Sequence, residues 1–298
     1  MSAAAELAAS SGAFFGRLVD VVLPDGGCAM VLVEGYFDES IGEGEARQAD
    51  GSIGTIPILC VAGYLIESEQ AKLLAKEWQE VLDWKGLPYF HMVDCAHGNG
   101  PFANLTKQER IAVVARMIGN IKRRTIKGFA VSVNVAQYEL FMPNHPLAGK
   151  PYTFCAHSTI GGVINWIEDV NYQGDVAYFF EAGHASQPEA NQIMEKIFAV
   201  PELRRASRYV AHAFVTKEKS LPVQAADLLA WQFYTDIRRQ LRGETRHRKD
   251  FQSLIDHPHQ VTFVLPDMMV AMAKVWGYDT TRAEALLQSF KGRMPTKT

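Results

Sequence analysis

The sequence predicts an α/β fold with a mixed five-stranded sheet flanked by helices. Two strand-like segments early in the chain are joined by a glycine-rich stretch, as in an antiparallel hairpin. The second half alternates helical and strand-like segments, which favours some parallel strands with helices packed over both faces of the sheet. One of these strands, residues 176–181, is almost wholly apolar until its last position, as expected for a strand buried on both faces.

Length and composition predict one elaborated domain. The chain has 298 residues, 48% of them hydrophobic and 21% charged, which is ordinary for a globular protein with a sizeable core. Residues 1–29 are expected to form a weakly ordered lead that closes with the turn-prone run Pro24-Asp25-Gly26-Gly27. A single domain is therefore expected over residues 30–298.

The elements are predicted from the period of the apolar residues. A strand at 30–38 and a second at 56–66 flank a loop marked by five glycine or aspartate positions between 42 and 54. A helical insertion follows around 67–125, with helices at 69–84 and 106–121. Further strands are expected at 128–135, 176–181 and 208–215, and helices at 152–170, 188–199 and 222–239. A helical extension over 237–298 completes the prediction.

Charge and targeting signals narrow the class of protein. The net charge of -3 means that any contact with nucleic acid must come from local patches. The N-terminus lacks the basic and apolar regions of a secretory signal, and no apolar run reaches the roughly 18 residues that span a bilayer. The four cysteines, Cys28, Cys60, Cys95 and Cys155, form no CxxC pair. We therefore expect a soluble cytoplasmic protein with reduced thiols and no membrane partner.

Three carboxylates stand at positions where acids are informative. Asp38, followed by Glu39, closes the first predicted strand, and Glu181 closes the apolar strand 176–181. Because side chains alternate across a strand, only one of Asp38 and Glu39 is expected to face a site, and the other to face solvent or the loop. The bland alternatives are polar turn residues for the adjacent pair and a helix cap or surface acid for Glu181.

Asp227 is the most informative acid. It lies inside a predicted helix on a stripe shared with Val223, Ala230 and Tyr234, so it is expected to face inward. An unpaired buried carboxylate costs several kcal/mol or takes up a proton, and a buried Asp therefore usually meets a cation or strong donors. A salt bridge to a core Lys or Arg is the structural alternative.

Convergence of these acids would suit a divalent cation. Oxygen ligands are what Mg²⁺ and Mn²⁺ prefer, and clustered carboxylates repel one another unless a cation neutralises them. Two ions in such a cluster can activate water and stabilise the leaving oxygen of a phosphodiester. The residues alone predict a metal site at Asp38, Glu181 and Asp227, with Glu39 as a possible fourth ligand.

Several segments together resemble a known family. They are YFDES, VAGYLI, PYTFCAH, FFEAGH and LPVQAADLLAW, spread over residues 31–234. This set resembles the domain of unknown function family 3800, which is grouped with ribonuclease-H-like folds. The resemblance implies a ribonuclease-H-like sheet, an acidic site at Asp38, Glu181 and Asp227, perhaps with Glu39, and a nuclease-like activity.

Two positions depart from the family pattern. The family motif usually places Gly directly after the Ser of YFDES, whereas Ile41 precedes Gly42 here. The acid that ends the fourth strand is Glu181, where Asp is commoner in the family. A longer acid shifts a bound metal by about one methylene, which bears on catalytic competence.

Four further residues are candidate substrate contacts: His91, Asp94, His184 and Lys217. The first two, with His97, form a spacing that offers zinc two imidazoles and a carboxylate, although it fits no standard zinc pattern. His184 is a candidate for proton transfer or a plain turn residue. Lys217 and the neighbouring Lys219 could meet phosphate as point charges.

A basic run follows the Asp227 helix. Residues 237–250 carry six Lys or Arg against two acidic residues, a net charge of +4 with neutral histidines. Such a run beside an acidic metal site suits a phosphodiester substrate, although most charge runs are only solvated helix faces. The sequence therefore predicts a metal-dependent nuclease or phosphodiesterase. The alternatives are a non-catalytic binding module whose acids hold a structural ion or a partner's Arg, and a hydrolase that uses His91 or His184 as base.

Overall fold

The computed structural model describes residues 31–47, 53–142, 146 and 148–291. Over these residues the chain forms a six-stranded mixed sheet with helices on both faces, in the strand order β5-β4-β1-β2-β3-β6. The strands are β1 Val33–Arg47, β2 Ile53–Glu67, β3 Thr125–Asn134, β4 Val176–Glu181, β5 Tyr209–Val215 and β6 His259–Val264. The predicted α/β class with a helix-flanked mixed sheet is confirmed.

The helices fall between and after these strands. They are α1 Ser68–Lys85, α2 Met92–His97, α3 Lys107–Arg124, α4 Val135–Phe141, α5 Pro151–Asp169, α6 Gln187–Phe198, α7 Pro201–Ala206, α8 Leu221–Leu241, α9 Lys249–Ile255, α10 Pro266–Val275 and α11 Thr281–Lys291. A 3-10 turn, Gly100–Phe102, joins α2 to α3. The short helices α2, α4, α7 and α9 have too few turns to show a clear apolar period in the sequence.

The register of the sheet places one level of special interest. β1 pairs antiparallel with β2 along its whole length, but it pairs in parallel with β4 only from Val33 to Phe37. β4 and β5 also run in parallel and end together at the pair Glu181 and Val215. Beyond Phe37, therefore, β1 continues where β4 and β5 have stopped.

β1 is longer than predicted, because the expected loop begins inside it. Gly42 and Gly44 are strand residues that pair with β2. A Cβ on Gly42 would lie 2.3 Å from the hydroxyl oxygen of Tyr234, and one on Gly44 would lie 2.7 Å from Cδ1 of Ile58. These glycines let α8 approach the strand closely, which in sequence looks the same as a turn signal. Residues 48–52 of the predicted loop lie outside the described residues.

The C-terminal extension was predicted to be helical, and this is wrong for β6. That strand pairs in parallel with β3, from Gly128 with His259 to Val133 with Val264. The backbone N–H of Gly128 also donates to the carbonyl oxygen of Pro258 at 2.9 Å. A six-residue edge strand depends on this distant partner, so its own short pattern did not reveal it. The sheet therefore has six strands where five were expected.

The core is divided between the two faces of the sheet. Successive side chains of β1 take opposite sides: Tyr36 packs in the cluster that contains α8, whereas Phe37 packs in the cluster that contains α5. The first cluster also receives α1, α3 and α9, and the second receives α6, α10 and α11. Each face of the sheet is thus covered by helices.

Helix α8 is buried on all sides in its first half. Every residue from 222 to 234 is buried, because the helix lies against β1 and β2 and is covered by α1, α2 and α9. The predicted stripe of Val223, Ala230 and Tyr234 is therefore only part of its buried surface. Asp227 is buried as expected, at 4% exposure.

Two further expectations concern the environment of the protein. Within the described residues, no helix combines the length and the apolar character that crossing a bilayer requires. Cys60, Cys95 and Cys155 are buried and form no disulfide in this part of the chain, and Cys28 lies outside it.

We predict that Gly63→Ala lowers the free energy of unfolding by about 3 kcal/mol or more, because its Cβ would lie 1.8 Å from the carbonyl oxygen of Tyr36. Gly161→Ala is the control: a Cβ there, in α5, meets nothing within 4 Å, so a gain of roughly 0.5–1 kcal/mol is expected. Urea unfolding measures both changes. Equal stabilities for the two variants would contradict the register of β1 on β2.

Candidate functional site

Asp38 and Glu181 meet where β4 ends beside β1. Asp38 follows the last paired residue of β1, and Glu181 is the last residue of β4. By strand alternation both lie on the face of Tyr36 and Phe179, which is the face covered by α8. The topology of the sheet thus brings together two acids that are 143 positions apart in sequence.

Lys217 lies at the centre of the site. It belongs to the segment between β5 and α8, and its Nζ is 3.0 Å from Oδ2 of Asp38, 3.1 Å from Oε1 of Glu181 and 3.0 Å from Oδ1 of Asp227. The side chains of Asp38, Asp227 and Lys217 are 0%, 5% and 15% exposed. The three predicted acids therefore converge on one point, and in the structure an ammonium group is located there.

Glu39 also reaches the site, although it lies on the opposite face of β1. Carboxylate oxygens of Asp38, Glu39 and Glu181 all lie within 4.8 Å of one another. No strand flanks β1 on that side beyond Phe37, so the longer Glu side chain can extend past the end of β4. The expectation that only one of the adjacent acids faces the site is therefore wrong. Within the described residues, Oε2 of Glu39 is buried and has no hydrogen-bond donor.

Burial and mutual repulsion control the ionisation of the acids. Burial, a hydrogen bond with Glu181 and the charge of Asp227 raise the pKa of Asp38 well above its ordinary value, and Lys217 opposes them. Burial and the charge of Glu181 raise the pKa of Glu39 to about 7, again against Lys217. Burial lowers the pKa of Lys217, but Asp227, Asp38 and Glu181 more than reverse this, so its net pKa is raised. The lysine is an ammonium ion facing an excess of carboxylates.

Asp227 holds the segment before α2 as well as Lys217. Its Oδ2 accepts a hydrogen bond from the backbone N–H of Met92 at 2.6 Å. The ring of His91 lies beside it, with Nε2 3.8 Å from Oδ1 of Asp227 and Nδ1 3.1 Å from Oδ2 of Asp94. His91 and Asp94, both candidate substrate contacts, therefore border the acidic site.

The zinc hypothesis for His91, Asp94 and His97 gains no support. Nδ1 of His97 is 2.8 Å from the carbonyl oxygen of Val93 in its own helix. Among the described residues, the group of side chains close enough to share an ion is that of Asp38, Glu39 and Glu181.

Gln224 is a central residue that sequence reasoning missed. Its Oε1 accepts hydrogen bonds from Nε1 of Trp78 at 3.1 Å and from the backbone N–H of Phe90 at 3.0 Å. Its Nε2 donates to the carbonyl oxygen of Lys217 at 2.8 Å. Gln224 and Asp227, three residues apart on α8, thus fix both segments that carry site residues. A buried amide one turn before a buried acid was the available signal.

His184 lies on the other side of the sheet. Its ring stacks on Tyr152 with centroids 4.0 Å apart, and its Nδ1 accepts a hydrogen bond from the backbone N–H of Ser186 at 3.0 Å. Burial and the charge of Lys150 lower the pKa of His184. Burial, followed by the charge of Glu39, raises the pKa of Tyr152. His184 thus shapes the turn after β4, as its structural alternative expected, and reaches the acids only through Tyr152.

Much of the basic run is paired within the chain. Arg239 contacts Glu244 at 2.6 Å, Arg242 contacts Glu45 at 3.3 Å, and Arg248 contacts Asp250 at 2.5 Å. These pairs reduce the charge that the run offers to a partner. Lys219, the other candidate phosphate contact, is exposed and lies away from the lysine-centred cluster.

No family model and no curated protein sequence matches this chain. The resemblance to the domain of unknown function family 3800 therefore stays a prediction. What is known of the site rests on its own geometry.

We predict that Lys217→Met lowers the free energy of unfolding at pH 8 by about 3–5 kcal/mol, because it leaves three carboxylates without their shared cation. The loss should be smaller at pH 5, since acids with raised pKa values then take up protons. Urea unfolding in EDTA measures both values. Lys219→Met, an exposed neighbour, should stay within about 0.5 kcal/mol of the wild type. A comparable loss in this control would refute the central role of Lys217.

We predict that Glu39→Gln raises the free energy of unfolding in EDTA, and more at pH 8 than at pH 5. The folded protein holds the Glu39 proton more tightly than the unfolded chain, so stability falls as the pH rises from 4.5 to about 7. The amide escapes this loss, and the gain at pH 8 is of the order of 1–3 kcal/mol. Glu43→Gln, at an exposed position of the same strand, is the control and should show no such pH dependence.

Proposed function

We propose that this chain is a divalent-metal-dependent phosphodiesterase of ribonuclease-H-like fold that acts on nucleic acid. The observation that carries the proposal is the group of carboxylate oxygens from Asp38, Glu39 and Glu181 within 4.8 Å of one another. Asp227, which the sequence placed among the metal ligands, is assigned here to holding Lys217 and the backbone of Met92.

The residues present fit Mg²⁺ or Mn²⁺. The donor set is all carboxylate oxygen, which these hard cations prefer. Four carboxyl groups face a single ammonium ion, so the site lacks positive charge whenever the acids are ionised. The buried Oε2 of Glu39, without a donor among the described residues, offers a ligand atom. A bound ion would supply Lewis-acid stabilisation and an activated water.

Lys217 and His91 contribute what the chain itself can supply. Lys217 is a fixed point charge beside the carboxylates, which suits contact with a phosphate oxygen. His91 is oriented by Asp94, and its side chain is 35% exposed, so a substrate can reach it and exchange a proton. Asp227 keeps both groups at the same end of α8.

The ribonuclease-H-like classification rests on the arrangement that the family resemblance implies. It is supported by a central β1 that is antiparallel to β2 and parallel to β4, with acids where β1 and β4 part. A cytoplasmic location is supported by the three buried thiols, which form no disulfide among the described residues.

A second candidate function is a non-catalytic binding module whose acidic cluster is ion-paired. The observation in its favour is the set of three contacts, at 3.0–3.1 Å, between Lys217 and the acids. These contacts partly neutralise the cluster without any metal. In this case the site stabilises the fold, and function lies elsewhere on the surface.

We predict that the wild type binds Mg²⁺ or Mn²⁺ in calorimetry, and that Glu181→Gln weakens this affinity by at least about tenfold. Glu168→Gln, at an exposed position of α5, is the matched control and should bind as the wild type does. Asp38→Asn and Glu181→Gln should also abolish cleavage in a panel of single- and double-stranded DNA and RNA.

Three outcomes separate the candidates. Metal binding together with metal-dependent cleavage supports the phosphodiesterase. Metal binding without turnover, or no binding at all, supports the binding module. Cleavage that persists in both site variants would refute the acidic site as the catalytic centre.

A further inference from the structure

A second concave surface lies beside the acidic site, on the other side of α2. It is a groove of about 820 Å³ formed by α2, α3, α9 and the end of α8. Met92 belongs to both places, since its side chain lines the groove while its backbone N–H donates to Asp227. The first turn of α2 is therefore the shared wall of the groove and the acidic site.

The floor of this groove is apolar. Met92, Ile111, Val114 and Ile118 contribute to it, and Ile111 is 51% exposed. An exposed isoleucine within a concave surface is available to a flat apolar ligand such as a nucleobase.

The rim of the groove is basic. The lining residues with charge are five cations and one acid: Lys107, Arg110, Arg239, Arg248, Lys249 and Asp250. Asp250 pairs with Arg248, and Glu244, outside the groove, pairs with Arg239. Even with Glu244 included, a net charge of +3 remains.

The uncancelled charges are those of Arg110, Lys107 and Lys249. Nη1 of Arg110 donates to the carbonyl oxygens of Cys95 at 2.7 Å and Ala96 at 2.8 Å, which orient the guanidinium without neutralising it. Both lysines are exposed and have no acidic partner among the described residues. The groove therefore attracts anions, whereas the neighbouring site repels them in the absence of a metal.

We propose that this groove binds a single-stranded phosphodiester chain, with bases on the apolar floor and phosphates on the basic rim. This inference rests on the proposed function and names its substrate class. The lining of α3 runs from Lys107 to Ile118, about 16 Å at 1.5 Å per residue, which matches four or five phosphates at a stacked spacing of about 3.4 Å. A mononucleotide would leave most of this length empty. A duplex hides the bases that the floor can contact.

The test is fluorescence anisotropy with labelled single-stranded 12-mers of DNA and RNA, in EDTA and at several salt concentrations. The double variant Lys107→Ala/Lys249→Ala should weaken binding at least about tenfold and lower the salt slope by about 2. Arg204→Ala/Arg205→Ala removes the same charge from α7, outside the groove, and should bind as the wild type does.

The floor is tested separately with Ile111→Glu, for which Leu203→Glu, at a similarly exposed position of α7, is the control. Only the Ile111 variant should lose binding. Because both positions are exposed, folding is expected to survive, and circular dichroism checks this.

Binding in EDTA is independent of the proposed metal chemistry, so the two proposals can fail separately. Asp38→Asn should abolish cleavage and still bind the 12-mer. The groove proposal is overturned if the wild type does not bind in EDTA at low salt, or if the α7 control loses as much affinity as the groove variant. It is also overturned if duplex or polyglutamate competes as well as the single strand.

Discussion

The contact of one buried ammonium group with three carboxylates is the interaction on which the rest of this structure depends. Lys217 draws together a strand centre, a strand end and a helix, represented by Asp38, Glu181 and Asp227. Four carboxyl groups in so small a volume cannot all ionise without a cation. The same shortage of positive charge links the stability of the fold to the proposed affinity for a divalent ion.

Helix α8 makes this arrangement possible. It carries Gln224 and Asp227 one turn apart, and these two side chains bind the backbone before α2 and the segment that holds Lys217. The helix can lie this close to β1 because Gly42 has no side chain in the space taken by Tyr234. Positioning of the site is therefore a consequence of how tightly α8 packs on the sheet.

The acidic site and the basic groove are complementary in charge and share one wall. Asp227 fixes the N-terminal turn of α2 from one side, and Arg110 binds the carbonyl oxygens at its C-terminal end from the other. A short helix of six residues has little stability of its own, so these two anchors determine its position. Movement of α2 would change both surfaces together, which connects the proposed binding of a strand with the proposed chemistry.

The sequence by itself determined the α/β class, most of the longer elements and the convergence of three acids, because these follow from local apolar period and from acids at informative positions. It did not reveal β6, whose pairing partner is more than a hundred residues away, or the continuation of β1 through Gly42. Lys217 was only one of several candidate phosphate contacts, and Gln224 was not identified. Tertiary structure decided these points, because the role of a buried polar group depends on the partners that distant segments place beside it.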